Sequence, residues 1–87
     1  MRSFLMAVSA YIFFSVSLGK TSQVVDKLRE IPNFVNIAIV TGEYDIIAKI
    51  ITDDLAELFE ITTEKIHMID GIVDTLTAVV EKEEFQV

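Results

Sequence analysis

The chain has no cysteine, which excludes disulfides and thiolate metal sites. It has one histidine, His67, and a lone imidazole without thiolate partners is too few ligands for a zinc or copper centre. Basic residues are scarce. The seven present are Arg2, Lys20, Lys27, Arg29, Lys49, Lys65 and Lys82, scattered through a chain of net charge −7. Nucleic-acid phosphates call for a basic stripe, so direct DNA or RNA binding is disfavoured. No phosphate loop, nucleophile elbow or basic-aromatic RNA surface occurs, so catalysis has no positive support. There is one proline, Pro32, and the three glycines, Gly19, Gly42 and Gly71, punctuate the chain.

Apolar material, by contrast, is in surplus. Hydrophobic residues make up 52% of only 87 positions. A domain this small buries roughly 60–65% of its extended surface, so its core is thin. The excess needs a second dry surface, and a partner subunit is favoured over a membrane. The opening MRSFLMAVSAYIFFSVSLG has the look of a secretory signal. Its apolar run falls short of the roughly 18–20 residues that span a bilayer. Moreover, Ala10, Ile12, Phe14 and Val16 alternate with Tyr11, Phe13, Ser15 and Ser17, the period of a strand. Residues 1–9 then form a short arm and the first strand starts at Ala10.

The rest of the chain reads as alternating elements. Thr21 or Ser22 caps a helix whose apolar stripe is Val24, Val25 and Leu28, stopped by Pro32. Phe34–Thr41 and Ile46–Ile51 are strands. Asp53 or Asp54 caps a second helix with the stripe Leu55, Leu58, Phe59, Thr62, Ile66 and Ile69. Ile72–Glu81 holds the last strand, with Leu76, Ala78 and Val80 on one face, and residues 82–87 are a solvated acidic tail. The order strand-helix-strand-strand-helix-strand predicts an α+β, ferredoxin-like βαββαβ fold: a four-stranded antiparallel sheet with two helices on one face. Ile31-Pro-Asn-Phe-Val-Asn echoes Ile69-Asp-Gly-Ile-Val-Asp, as two βαβ halves would. The other sheet face is left open. It holds Tyr11, Phe13, Asp45, Ile47, Lys49 and Ile51, which is too apolar for water and suits sheet-on-sheet pairing, with Lys49 snorkelling outwards.

Thr41-Gly-Glu-Tyr-Asp45 is a polar knot between two apolar strands. Gly42 tolerates a positive φ or a close approach. Asp45 brings a carboxylate, Tyr44 a ring with a hydroxyl, and Thr41 a second hydroxyl. Such a set could read an amino acid, its carboxylate on exposed N–H groups and its ammonium on Asp45. It could equally be a plain hairpin whose aspartate satisfies the turn backbone. Physics alone leaves both open.

Four passages carry a likeness: AYIFFSVSLGKTSQVVDKLREIPNF, NIAIVTGEYDIIAKI, DDLAELFEITTEKIHMIDGIV and DTLTAVV. From Ala10 to Glu81 the chain resembles the ligand-sensing (RAM) domain of the feast/famine regulators, the leucine-responsive and asparagine-type transcription regulators. Gly42-Glu-Tyr-Asp45 is similar to that family's glycine-x-x-aspartate turn. The resemblance implies a cytoplasmic domain that dimerises through its sheets. Dimers of this family join into tetramers, octamers or decamers and bind small effectors, usually amino acids, in the seam between dimers. It implies no cofactor and no metal. By position it assigns Gly42, Tyr44 and Asp45 to that seam, with Thr41, Thr75 and Thr77 as further candidates. A helix-turn-helix domain has no room in the few residues before Ala10, so a stand-alone sensor is expected, one that binds neither nucleic acid nor membrane itself. Two rivals remain. One is a structural partner that forms mixed oligomers with full-length regulators without binding a ligand. The other is a small enzyme of the dimeric α+β barrel type, with His67 as its only handle.

Overall fold

A strand buried on one side only must alternate, and the first element shows the rule at work. Ala10, Ile12 and Phe14 are fully buried, while Ser9, Tyr11, Phe13 and Ser15 between them are half-buried. In the computed structural model, which describes residues 7–86, this is β1, Val8–Val16. It begins two residues before the predicted start; residues 1–6 of the expected arm lie outside the described residues. The stretch that resembles a signal sequence therefore supplies a central strand. Among the described residues no helix is long and apolar enough to cross a membrane.

The remaining elements are α1 (Thr21–Leu28), β2 (Phe34–Ile39), β3 (Ile46–Thr52), α2 (Leu55–Glu60) and β4 (Ile72–Val79). The sheet is antiparallel in the order β2-β3-β1-β4, the ferredoxin-like arrangement expected from the element order. Strand β2 stops at Ile39, short of Thr41, and β4 at Val79, short of Glu81. Helix α1 is capped by neither Thr21 nor Ser22. Lys20 holds the N-cap position, with no side-chain hydrogen bond to the helix.

Helix α2 corrects the sequence reading most. Asp54 caps it, accepting from the Glu57 N–H at 2.8 Å, and Glu57 reaches back to the Asp53 N–H at 2.7 Å. The first satisfies a donor that the helix start leaves unpaired, and the second ties the residue before the cap to the same turn. After Glu60 the helix widens into a π turn, Ile61–Lys65, whose signature is the Ile66 N–H bonding the Ile61 carbonyl, and ends in a 3₁₀ turn, Ile66–Met68. The extra residue in the turn resets the buried face. Leu58, Ile61 and Ile66 point into the core, whereas Leu55 and Phe59, which a regular 3.6-residue stripe would bury, stand in solvent at 46% and 56% exposure.

The core lies between the helices and one sheet face. Phe14, Ile12, Leu28, Ile46, Ile50, Leu58, Ile66 and Val24 are its fully buried large side chains, each worth about 1.5–3 kcal/mol of burial. The internal echo is structural: Ile31 N–H bonds the Leu28 carbonyl at 3.0 Å, and Ile69 N–H bonds Ile66 at 3.1 Å. Gly71 is fixed by space as well as by its φ of 103°. A Cβ there would meet Lys20 Cβ at 2.9 Å, because the turn lies against α1.

Candidate functional site

Asp45 sits where the 40–45 turn enters β3. Its carbonyl accepts from Val40 N–H at 2.9 Å, closing the turn, and its own N–H donates to the Phe14 carbonyl at 2.9 Å. Its Oδ2 accepts from the Val16 N–H at 2.8 Å. The last pairing of β1 with β3 is Phe14 with Ile46, so Val16 lies past the end of that ladder and a side chain replaces the missing strand carbonyl. Asp45 thus satisfies backbone, as a plain hairpin aspartate would, but the backbone is that of β1 and not of its own turn. Its Oδ1 accepts no hydrogen bond among the described residues.

Between Val40 and Asp45 the backbone is open. The N–H groups of Thr41, Gly42, Glu43 and Tyr44 make no hydrogen bond among the described residues. Thr41, Gly42 and Glu43 are exposed. Gly42 has φ 125°, with nothing within 4 Å of where a Cβ would be. The glycine is therefore required by its backbone angle and leaves free space beside it. Tyr44 folds back over the open sheet face, its ring 5.5 Å from that of Phe13 at 56°, a tilted contact typical of aromatic pairs.

The other two candidates do not join this group within one chain. Thr75 pairs with Phe14 and Thr77 with Ile12, so both threonines lie on the helix side of the β4 edge, while Tyr44 covers the opposite face. Thr75 lines a hollow of about 150 Å³ with Ile66, His67, Ile69 and Asp74. That is small beside the roughly 300–1,000 Å³ of ordinary ligand sites. His67 itself is exposed and has no hydrogen-bonded partner among the described residues, and Asp74 Oδ1 accepts from the Thr75 N–H. A groove of about 560 Å³ runs between α1 and the end of the α2 segment, lined by Lys27, Glu30, Glu64, Lys65 and Met68. None of residues 41–45 lines it, and Lys27, Glu30, Glu64, Lys65 and Asp70 make its lining charged as well as apolar.

The open sheet face holds what the sequence reading missed. Tyr11 and Lys49 pair across β1 and β3, with Ala78 and Asn36 beyond them in the same row. Lys49 does not snorkel. Its Nζ meets Glu83 Oε1 at 2.6 Å, and the Tyr11 hydroxyl donates to Glu83 Oε2. The Lys49 and Glu83 side chains are only 18% and 26% exposed. The Phe85 ring lies 5.7 Å from the same ammonium, and the Tyr11 ring 5.5 Å. The segment after β4 is exposed along residues 81–86, as a solvated tail is, but its Glu83 carboxylate is tied down onto the sheet. The hydrogen bond from Lys49 holds the Glu83 carboxyl below its usual range, and Tyr11 adds to it. The hydrogen bond to Glu83 raises Lys49 against the opposing pull of burial. The bond to Glu83 raises Tyr11 too, with burial second. The signals in the sequence were one lysine on an apolar face and a run of acid after the last strand.

Known proteins share this architecture. The pattern of the Lrp/AsnC ligand binding domain matches residues 9–86. An uncharacterized HTH-type transcriptional regulator of Pyrococcus abyssi is 36% identical over 72 residues, 83% of this chain and 46% of that protein. The chain spans about half the length of the curated relatives it matches. The crystal structure of FFRP-DM1 superposes with TM-score 0.81 at 37% identity, covering 84% of this chain and 97% of that one. A transcriptional regulator of Neisseria meningitidis, crystallised as its L-Met complex, shares the fold with TM-score 0.82 at 20% identity, covering 91% and 53% of the two chains.

Proposed function

The chain belongs to the Lrp/AsnC ligand binding domain family, and from that premise we propose that it is an oligomeric module that senses a small metabolite, an amino acid, and passes the signal to transcription regulators of its own kind. The observation that carries this is the 41–45 turn. Among the described residues the N–H groups of residues 41–44 are unpaired, and the Asp45 carboxylate that follows them in the chain has one uncommitted oxygen. That is the complement of a zwitterion: the donors take a carboxylate and Asp45 Oδ1 takes an ammonium. Gly42 leaves room for the ligand, and Thr41 and Tyr44 frame it. Thr75 and Thr77 lie on the other side of the sheet from Tyr44, so a part for them in this seam requires that a neighbouring copy supply them. That the Neisseria relative holds L-Met supports the ligand class.

Pairing is the second half of the proposal. The open face offers Phe13, Tyr44, Ile47 and Leu76 to a second copy, and Leu76 is 50% exposed in the single chain. Sheets stacked about 10 Å apart would bury these side chains. A longer regulator of the family is the alternative partner we propose for this face, and the seam would form where such dimers meet in a higher assembly. Among the described residues α1 and α2 are separated by two strands, so no helix-turn-helix is present there to contact DNA.

Calorimetric titration of the twenty amino acids into the protein, with its mass measured by light scattering, tests the reading. The expected result is a multimer that binds one or a few amino acids, with affinity lost in Asp45→Asn. Failure of every amino acid to bind, or unchanged affinity in that variant, overturns the effector site.

A further inference from the structure

We infer that residues 82–86 complete the pairing face: Glu83 discharges Lys49 so that this row of the sheet can be covered by a second copy of the chain, and Phe85 is presented to that copy. The inference rests on the pairing reading above and adds a surface to it.

A lone ammonium in the middle of an apolar face opposes burial, because a charge sealed from water without a partner is strongly unfavourable. Lys49 stands in that position, one row from Phe13 and Ile47 and flanked by Asn36 and Tyr11. Glu83 answers it with a direct ion pair, and Tyr11 ties the second carboxylate oxygen. Both oxygens and the ammonium are thus engaged before any partner arrives. The contact is selective. The neighbouring pair Lys82–Glu84 is 78% and 75% exposed and faces water, whereas Lys49–Glu83 is mostly covered. The Val80 N–H on the Ser9 carbonyl carries the chain on past β4 beside β1, and the contacts of Glu83 and Phe85 with Lys49 bring the following residues to the face.

Phe85 supplies the second observation. Its ring lies near the Lys49 ammonium, yet 84% of the residue is exposed. The contact with Lys49 leaves the ring largely wet in one chain, on the same side as half-exposed Leu76 and Ile51. An aromatic ring held over an apolar face, with its outer surface bare, suits burial by a matching sheet. The occupant is a second copy, because Glu83 and Phe85 stand on the same face, beside Leu76 and Ile51, that the pairing reading gives to one, and a twofold interface uses one face twice.

The test is the self-association constant, measured by sedimentation equilibrium on the wild type, Glu83→Ala, a chain ending at Glu81, and the double variant Lys49→Met/Glu83→Leu. Circular dichroism establishes that each is folded. Glu83→Ala leaves a cation to be buried unpaired and should weaken pairing by about tenfold or more, and the shortened chain at least as much; replacing both partners by apolar groups restores pairing to within about threefold of wild type. Glu83→Ala or the shortened chain pairing as tightly as wild type, or more tightly, overturns the inference; tighter pairing would make the segment a competitor of the second copy. No recovery in the double variant also overturns it. A wild type that stays monomeric at every concentration refutes the pairing reading itself, which separates the two failures.

Discussion

Replacing Asp45 probes the fold and the proposed function at once, and two substitutions separate them. Asp45→Ala removes the acceptor for the Val16 N–H, a 2.8 Å bond between partly buried groups. A buried donor left without a partner costs about 1–3 kcal/mol. Water can reach this sheet end, so the lower half of the range, about 1–2 kcal/mol, applies. In a domain of this size each kcal/mol moves Tm by about 4–8 °C, which gives a loss on the order of 5–15 °C. Asp45→Asn keeps an oxygen for Val16 but exchanges a charged acceptor for a neutral one. Charged and neutral bonds differ by about 1 kcal/mol, so this variant should lose no more than about half as much.

The local readout is amide exchange at Val16. It should accelerate sharply in Asp45→Ala and modestly in Asp45→Asn, while exchange at Ile12 in the middle of β1 keeps pace with global stability. Melting must be followed at one fixed protein concentration, because self-association raises Tm by mass action. If Val16 stays protected and Tm unchanged in Asp45→Ala, the carboxylate does not hold the turn to β1. The pair also makes the binding experiment interpretable. Asp45→Asn should be close to native in structure yet lose the ammonium's partner, so its loss of amino-acid affinity cannot be blamed on a collapsed turn.

The π turn predicts an inverted ranking of two adjacent residues. Leu58→Ala should cost about 2–5 kcal/mol as a core truncation, and Phe59→Ala less than about 1 kcal/mol because its ring is mostly in water; urea unfolding that ranks them equally would refute the register. Acidity should act on pairing through Glu83. Its folded pKa lies below the ordinary 4.5 and that of Lys49 above 10.5. Stabilisation by the pair is therefore full across neutral pH, and is lost as pH falls through the lowered Glu83 value or rises through the raised Lys49 value. Tyr11, also raised, surrenders its donor only on the alkaline side, and the row's other members, Asn36 and Ala78, do not titrate. The measurable quantity is the difference between wild type and Glu83→Gln. It should be constant near neutrality and vanish in acid, and a difference that persists well below the ordinary carboxylate range would refute the assignment.

Much of this fold is legible because its strongest signals are local. Alternation in Ala10, Ile12 and Phe14 marks β1 without knowledge of its neighbours, and the element order then leaves few topologies. What could not be read depends on what lies far along the chain. The stripe through Leu55 and Phe59 assumes 3.6 residues per turn, and nothing in ITTEK announces that the helix widens there. The turn at Gly42–Asp45 was visible as a motif, but the direction of the Asp45 carboxylate depended on Val16, 29 residues earlier. Glu83 looked like any solvated acid, because its partners Tyr11 and Lys49 lie 72 and 34 residues away. Charge that is placed by tertiary contact leaves only a compositional trace.

These distant contacts converge on one strand. Phe13 points to the open face and meets the Tyr44 ring at a tilt; Phe14 and Val16, through their backbones, hold Asp45; and Tyr11 holds Glu83. The turn proposed to take the effector and the face proposed to take a second copy are thus built on neighbouring residues of β1. A ligand between Tyr44 and Asp45 cannot displace that ring without disturbing the ring of Phe13 on the pairing face. Contact alone does not make coupling; two arrangements with different affinities do. Should the Tyr44–Phe13 contact differ between free and bound turns, linkage obliges pairing to respond. An amino acid that tightens pairing by some factor must itself bind the paired form more tightly by that same factor. Asp45, tied at Oδ2 and without a hydrogen bond at Oδ1 among the described residues, stands at the hinge of that proposed linkage: one oxygen fixes the turn to the strand proposed to carry the interface, and the other is the one proposed to take the effector's ammonium.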